Sequence, residues 1–109
     1  MRVYVATPVN ARKEPTMKEK RAGAKRRADM LRCWFCDEHP EAEVVTPFDA
    51  VPLSEEIEEP QAIGRCIALL LTCDTILLDR GWTGSKGCAL EYHAAKLYNL
   101  RVIDGNGQF

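Results

Sequence analysis

The chain has no long hydrophobic run, almost no net charge, and no aromatic residue within its most basic stretch. The longest apolar run, from Ile67 to Leu71, is much shorter than the roughly 20 residues that span a bilayer. Lys and Arg number 15 against 16 Asp and Glu, so no overall field draws the protein to nucleic acid or a membrane surface. The basic stretch from Lys18 to Arg27 lacks the interleaved aromatic side chains that stack on single-stranded nucleic acid. These absences predict no membrane and no specific nucleic acid as a partner.

The chain also lacks a signal-peptide pattern and an even set of cysteines. A strand-like segment, Arg2–Ala6, begins at once, and five Cys residues without a secretion signal are typical of reduced thiols. We therefore predict a cytoplasmic location. The Cys33-Trp-Phe-Cys36 motif ends a predicted helix and has no second ligand pair at the spacing of a structural zinc site, so we predict no metal centre.

Strand-like and helix-like segments alternate along the 109 residues, which are enough for one domain, residues 1–109. The predicted strands are Arg2–Ala6, Glu43–Thr46, Thr75–Leu78 and Arg101–Ile103, and the predicted helices are Thr16–Cys36, one containing Ile63–Leu71, and Lys86–Asn99. Alternation implies parallel strands joined by right-handed crossovers. It predicts a small three-layer α/β domain, Rossmann- or flavodoxin-like, with a parallel sheet of about four strands in the order 2-1-3-4.

Two helices carry predictions about the core. The middle helix is apolar nearly all round from Ile63 to Leu71, so we expect it to be buried. The apolar residues of the first helix recur at roughly helical spacing and predict its buried face: Met17, Ala24, Ala28, Leu31 and Phe35. A domain of this size buries a modest share of its surface, and forming an oligomer would stabilise it.

The predicted sheet places a ligand crevice outside the carboxyl ends of its strands, where the strand order reverses. One wall is the loop after the first strand, in which Thr7, Pro8 and Asn10 are candidate binding residues. The other wall is the loop after the third strand, which begins at Asp79 and contains Trp82. The Trp82 ring either stacks on a ligand base or fills a structural gap.

The loop after the third strand leads through a Gly-rich turn into a helix that carries Glu91. Ser85 suits the N-cap of that helix, and the free backbone N–H groups around Ser85 and Gly87 would face a phosphate or a sugar hydroxyl. Glu91 follows in the first or second turn, where the positive helix end favours its ionised form. Such a carboxylate can act as a nucleophile. The alternatives are a simple cap at Ser85 and a Glu91 that only complements the helix dipole.

Several short motifs together resemble one enzyme superfamily. They are Tyr4-Val-Ala6-Thr-Pro8, Cys73-Asp74 before the third strand, Gly81-Trp82 after it, and Ser85-Lys-Gly87 followed by Glu91. Their order and spacing resemble the nucleoside 2-deoxyribosyltransferase superfamily, and most closely a small bacterial and phage branch of unknown function. The resemblance covers about Arg2 to Ile103.

The resemblance implies an activity and a role for each matching residue. Glu91 would be the nucleophile that attacks the anomeric carbon of a deoxyribonucleoside or its monophosphate, and Tyr4 would help to place it. Ser85 and Gly87 would hold the sugar or the 5′-phosphate. The chemistry needs no metal or organic cofactor. Sites in the superfamily are often completed by a neighbouring subunit, which implies a homo-oligomer, and the tail from Asp104 to Phe109 could reach across to one.

One residue departs from the superfamily pattern. Its enzymes carry an Asp, thought to help protonate the leaving base, eight residues before the position of Asp74, and here that residue is Cys66. A thiol, with a reference pKa of ~8.5, is a poor substitute for a carboxylic acid. Three functions therefore stay open: a nucleoside or nucleotide N-glycosidase or deoxyribosyltransferase, a non-catalytic nucleotide-binding or signalling module, and a small oligomeric scaffold. In the scaffold, Tyr4 would simply pack in the core of the domain.

Overall fold

A computed structural model describes residues 1–105 as a parallel four-stranded sheet with helices on both faces. The strands are β1 (Arg2–Ala6), β2 (Glu43–Val45), β3 (Thr75–Leu78) and β4 (Arg101–Asp104). The helices are α1 (Met17–Glu38), α2 (Pro47–Ala50), α3 (Glu59–Leu70) and α4 (Lys86–Leu97), with a single 3₁₀ turn at Trp82–Gly84. The strand order is β2-β1-β3-β4, and every neighbouring pair is parallel. The predicted three-layer α/β fold and strand order are confirmed.

The two central strands send alternate side chains to opposite faces of the sheet. Tyr4 and Ile76 belong to the core under α3 and α4, which also holds Leu70 and Cys88. The intervening residues belong instead to the core under α1, which contains Val3, Val5, Leu31, Phe35, Val44 and Leu77. The face toward which a residue points therefore decides which helices it can meet.

The first helix begins where a threonine caps it. The side chain of Thr16 accepts a hydrogen bond from the backbone N–H of Glu19 at 3.1 Å, which satisfies one of the free donors of the first turn. Four of the five predicted core residues are buried: Ala24, Ala28, Leu31 and Phe35. The prediction for Met17 was wrong, because this residue lies at the N-terminal end of the helix and is 49% exposed.

The prediction that the middle helix is buried was also wrong. Leu70 is the only buried residue of α3, and Leu71 just after it is 37% exposed. The helix lies on the outside of its layer, so only one stripe of its side chains packs against the rest of the domain. Its apolar residues outside that stripe remain accessible.

The sequence pattern missed the short helix α2. Pro47 directly follows the predicted second strand and occupies the first turn of this helix. The side chain of Thr46 accepts from the Phe48 N–H at 3.3 Å, and Asp49 Oδ2 accepts from the Thr46 N–H at 2.8 Å. This reciprocal cap stabilises a single turn too short to show a hydrophobic period.

Two further predictions concern a membrane-spanning helix and the C-terminal tail. Within residues 1–105, none of the helices combines the length and the apolar character needed to cross a bilayer. The predicted reach of the tail from Asp104 to Phe109 falls largely on residues 106–109, which lie outside the described residues.

Candidate active site

A buried carboxyl group lies under the first turns of α4, near the carboxyl ends of β1 and β3. Ser85 is the N-cap of this helix, and its hydroxyl oxygen accepts from the Cys88 N–H at 3.3 Å. Glu91 follows in the second turn with 5% of its surface exposed. The predicted cap and the predicted position of Glu91 within the first two turns are confirmed.

Tyr4 and Glu91 form a hydrogen-bonded pair inside the core. Tyr4 is fully buried on β1, and its hydroxyl donates to Oε2 of Glu91. The thiol of Cys66, on α3, interacts with both members of the pair. Residues from the first strand and from two helices therefore meet at one point, as the hypothesis of a Tyr4-oriented Glu91 requires.

The apolar core around Glu91 changes the expected ionisation of its carboxyl group. Burial raises the pKa of the Glu91 carboxyl to about 8, although the hydrogen bond from Tyr4 acts in the opposite direction. Burial and the neighbouring Glu91 carboxylate raise the pKa of Tyr4 well above its usual value, and they raise the pKa of the Cys66 thiol to about 11. At pH 7 the Glu91 carboxyl is therefore mostly protonated.

The expectation that the helix end keeps Glu91 ionised was thus wrong. The helix dipole acts mainly within the first turn, and Glu91 lies in the second. In residues 1–105 no Lys, Arg or His forms an ion pair with Glu91 that could offset the loss of hydration. The desolvation of the charged form therefore prevails.

One stripe of α3 covers the Tyr4–Glu91 pair. Glu59, Ile63, Cys66 and Leu70 are spaced four, three and four residues apart, which places them on the same side of a helix. Cys66 contacts the pair, and Leu70 belongs to the core beneath it. The other two members of the stripe face the first turn of α4.

Gly87 leaves a gap in that first turn. It precedes Glu91 by one helical turn, and a Cβ atom added at Gly87 would lie 3.9 Å from Cγ1 of Ile63. Beside it, Nζ of Lys86 lies 2.6 Å from Oε1 of Glu59. The missing side chain at Gly87 thus leaves room for a methyl group beside Ile63, one helical turn before Glu91.

Asn10 takes part in closing the same region. It is exposed in the loop after β1, and its side-chain amide donates to Oε2 of Glu59. Glu59 therefore joins that loop to the start of α4 through Lys86, and the Lys86 ammonium is the main cause of the lowered pKa of Glu59. The structure places Asn10 at the edge of the covered site.

Two other predicted binding residues carry unsatisfied polar atoms. Oγ1 of Thr7 and Nε1 of Trp82 are buried and have no hydrogen-bond partner within residues 1–105. The Trp82 ring packs on Tyr92 with the ring centroids 4.7 Å apart, on the same face of the sheet as Glu91. Buried polar atoms without partners are rare in native proteins, and each calls for an explanation such as a ligand or a water molecule.

Pro8 and Asp79 belong to the other side of the crevice. Asp79 is 3% exposed and points toward α1, where Nη2 of Arg27 lies 2.8 Å from its Oδ1. Both residues line a cavity of about 300 Å³. The cavity lining is Pro8, Ala11, Arg12, Arg27, Asp79, Arg80 and Gly81. The structure therefore separates these two predicted residues from the Tyr4–Glu91 pair.

The sequence reasoning missed the three arginines of this cavity. Arg12 lies in the loop after the first strand and Arg80 directly follows Asp79, so their place in the two crevice loops was the available signal. Arg27 ends the basic stretch from Lys18 to Arg27, yet its side chain is only 16% exposed. No group of three His, Cys, Asp or Glu side chains in residues 1–105 is arranged to hold a metal ion.

A second cavity of about 580 Å³ lies on the outer side of α3. It is lined by Ile57, Gln61, Gly64, Arg65 and Ala68. Glu91 lines neither of these two cavities in the described part of the chain.

Comparison with known proteins assigns the chain to a family. The family described as "Domain of unknown function (DUF4406)" matches residues 1–104. No curated protein matches the chain. Since the match covers nearly all of the 109 residues, the chain belongs to the DUF4406 family.

Proposed function

We propose that this member of the DUF4406 family binds a nucleoside or nucleotide at the Tyr4–Glu91 pair and breaks its N-glycosidic bond through Glu91. One observation carries the proposal: Glu91 is a buried carboxyl group that hydrogen-bonds a tyrosine and forms no ion pair within residues 1–105. An isolated buried acid costs folding free energy, and groups with strongly shifted pKa values concentrate at functional sites. The sequence resemblance to nucleoside 2-deoxyribosyltransferases supports the same assignment.

The reaction would proceed in two displacements. The Glu91 carboxylate attacks C1′ of the sugar and forms a C–O bond, while the C1′–N bond breaks and its electron pair leaves with the base, which takes up a proton from water. Water or a second base then attacks C1′ and gives up a proton to solvent, the C1′–O bond to Glu91 breaks, and the Glu91 carboxylate is released. The scheme consumes no metal and no organic cofactor.

Tyr4 would act as the residue that positions and ionises the nucleophile. Its hydrogen bond to Oε2 stabilises the carboxylate and lowers the pKa of Glu91. With a pKa of about 8, roughly one molecule in ten carries the ionised carboxylate at pH 7. The activity of the free enzyme should therefore rise between about pH 6 and pH 8.

The first turn of α4 would hold the sugar or its 5′-phosphate. The backbone N–H groups near Ser85 and Gly87 belong to a helix N-terminus, which favours anions and hydroxyl oxygens. Gly87 leaves the space in which the sugar would lie against Glu91. The unpaired Trp82 Nε1 would donate to the ligand.

A second candidate is a nucleotide-binding module that does not turn its ligand over. Cys66 favours it, because this thiol lies beside the pair at the position of the expected acid. With a pKa of about 11 the thiol keeps its proton at neutral pH and is a weak acid for protonating a leaving base. The fold and the crevice would then serve recognition alone.

Product analysis separates the two candidates. The protein is incubated with deoxynucleosides and their 5′-monophosphates, and free base is measured by chromatography for wild type, Glu91→Gln and the control Glu56→Gln, which alters an exposed residue. Release by wild type and the control, but not by Glu91→Gln, supports the enzyme. Silence of all three contradicts it.

Thermal unfolding with the same compounds then tests recognition. A ligand present at ~100 times its dissociation constant adds about 2.7 kcal/mol to the free energy of unfolding. A stabilised but inactive wild type supports the binding module. If no compound releases free base and none stabilises the protein, both candidates are contradicted.

We also propose that the chain works as a homo-oligomer in the cytoplasm. Leu90 and Leu97 lie seven residues apart on one side of α4 and are 43% and 78% exposed. Their exposure in the single chain supports a covering subunit. Light scattering of the purified protein tests this, and a monomeric mass would contradict it.

A further inference from the structure

The cavity of about 300 Å³ lies on the opposite face of the sheet from Glu91. Asp79 follows Leu78, whose side chain belongs to the α3 and α4 face, so alternation turns Asp79 toward α1. The ion pair between Asp79 and Arg27 confirms that direction. The cavity still opens at the carboxyl edge of the sheet, between the loops that follow β1 and β3.

Arg27 forms the floor of this cavity in a fixed orientation. Its Nε lies 3.2 and 3.1 Å from the two carboxylate oxygens of Asp79, and its Nη2 lies 2.8 Å from Oδ1. The planar guanidinium is therefore held by a two-pronged contact, which restricts its rotation. Asp79 also accepts the backbone N–H of Arg80 at 2.7 Å, which ties the next arginine of the cavity to the same carboxylate.

Arg12 is held in place by a second carboxylate and by a glycine. Nη2 of Arg12 lies 2.8 Å from Oε2 of Glu14, and this ion pair rests directly on the bare backbone of Gly23 in α1. A Cβ atom at Gly23 would lie only 2.8 Å from Nη2 of Arg12, so a larger residue would displace the pair. Gly23 and Arg27 are one helical turn apart, which brings the two arginines to the same side of α1.

The charge around the cavity is positive. Three arginines and one aspartate line it, and Glu14 neutralises part of Arg12. Arg26 lies near enough to Glu14 to contribute to the lowered pKa of that carboxyl, although the hydrogen bond from Arg12 is the larger cause. Within residues 1–105, three guanidinium groups and one carboxylate line the cavity and Glu14 pairs with one of the arginines, so the remaining positive charge favours an anion.

We propose that this cavity binds a phosphate dianion, either inorganic phosphate or the phosphate of a phosphomonoester. Guanidinium groups match the oxygens of phosphate in charge and in planar geometry, and two of the three are held by carboxylates before any ligand arrives. The volume of about 300 Å³ exceeds that of a phosphate group and leaves space for a small attached moiety. The proposal does not depend on the activity assigned to Glu91.

Calorimetric titration with inorganic phosphate at low ionic strength tests the proposal, since salt screens such contacts. We expect saturable binding with a dissociation constant of about 1 mM or below. Arg80→Gln and Arg12→Gln should weaken it about tenfold or more, because each removes a charge-assisted contact. Arg101→Gln, which alters an exposed residue at the amino-terminal edge of the sheet, should leave it unchanged.

Some results would overturn the proposal and others would support it. Absence of saturable binding overturns it, as does equal weakening by Arg101→Gln. Gly23→Ala should weaken phosphate binding through Arg12, whereas Gly64→Ala, with no atom within 4 Å of the added methyl, should not. Titration with ribose 5-phosphate separates the sources: tighter binding than inorganic phosphate indicates a phosphomonoester, and weaker binding indicates free phosphate.

Discussion

Two buried carboxyl groups at the same edge of the sheet have opposite surroundings. Asp79 is 3% exposed and is bound by the guanidinium of Arg27, whereas Glu91 is 5% exposed and is bound by the phenol of Tyr4. An ion pair allows a carboxylate to stay charged in a buried place, and a single neutral donor does not offset burial to the same degree. The first group can therefore build a charged cavity, while the second becomes a weak acid with a pKa of about 8.

The helices over each face explain this difference. The helix facing Asp79 carries Arg26 and Arg27 beside its apolar stripe, so a carboxylate that points there meets a guanidinium. The layer facing Glu91 is formed by aliphatic, aromatic and thiol side chains. Asp79, which points toward α1, and Glu91, which lies on the inner side of α4, therefore have different surroundings.

The largest expected effect is the loss of the ion pair. Asp79→Asn removes the negative charge from a buried pair and leaves the Arg27 guanidinium without its carboxylate, so the free energy of unfolding should fall by about 3 kcal/mol. Glu91→Gln should not lower it at pH 7, because the neutral amide removes the cost of keeping a proton on a buried carboxyl that the unfolded chain loses. Urea unfolding measures both. Equal losses in the two variants would remove the contrast between the two sites.

The next effect is a dependence of the free energy of unfolding on pH, which Glu91 should cause. Its pKa is about 8 in the folded protein and about 4.5 in the unfolded chain. Between these values the folded protein keeps a proton that the unfolded chain has lost. The Glu91 contribution to the free energy of unfolding therefore falls as pH rises, by about 1.4 kcal/mol per pH unit. The difference between wild type and Glu91→Gln should show this slope from about pH 5 to pH 8, and a flat difference would refute the raised pKa.

A smaller effect should follow from removing the phenol alone. Tyr4→Phe keeps the ring in the core but deletes the hydrogen bond to Glu91, at a cost of about 1 kcal/mol. Because that bond lowers the pKa of Glu91, the carboxyl should titrate at a higher pH in the variant. Carbon NMR of the labelled carboxyl measures the shift. An unchanged titration would mean that Tyr4 does not act on Glu91.

The smallest stability effect comes from a pair of glycines. Gly87→Ala and Gly64→Ala both add a methyl group to a helix without a close clash, so each should stabilise the protein by about 0.5–1 kcal/mol. Only Gly87→Ala adds its methyl group one helical turn before Glu91, and it alone should weaken nucleotide binding, by about tenfold or more. Equal nucleotide binding by both variants would show that the sugar does not lie against Gly87.

The fold could be predicted from the sequence because its signals are local and periodic. The alternating Arg2–Ala6 and the apolar Thr75–Leu78 define the central strands, and the connecting helices require parallel pairing. The order of the strands and the placement of Ser85 and Glu91 at the start of the last helix follow from the same pattern. Glu91 could therefore be identified as a candidate site residue from the sequence alone.

The environment of the site could not be predicted in the same way. The pKa of Glu91 depends on which distant side chains cover it, and the stripe of α3 that contains Ile63 and Cys66 is set by packing between helices. The arginine cavity depends likewise on a close approach at Gly23, which a sequence shows only as a small residue in a helix. Both features arise from contacts between segments that are far apart along the chain.

The hydrogen bond between Tyr4 and Glu91 joins positions 87 residues apart. During translation, the strand that bears the phenol leaves the ribosome long before the helix that bears the acid. The pair therefore cannot form until the last segments of the chain join the sheet, so only a chain whose synthesis and folding are complete contains it.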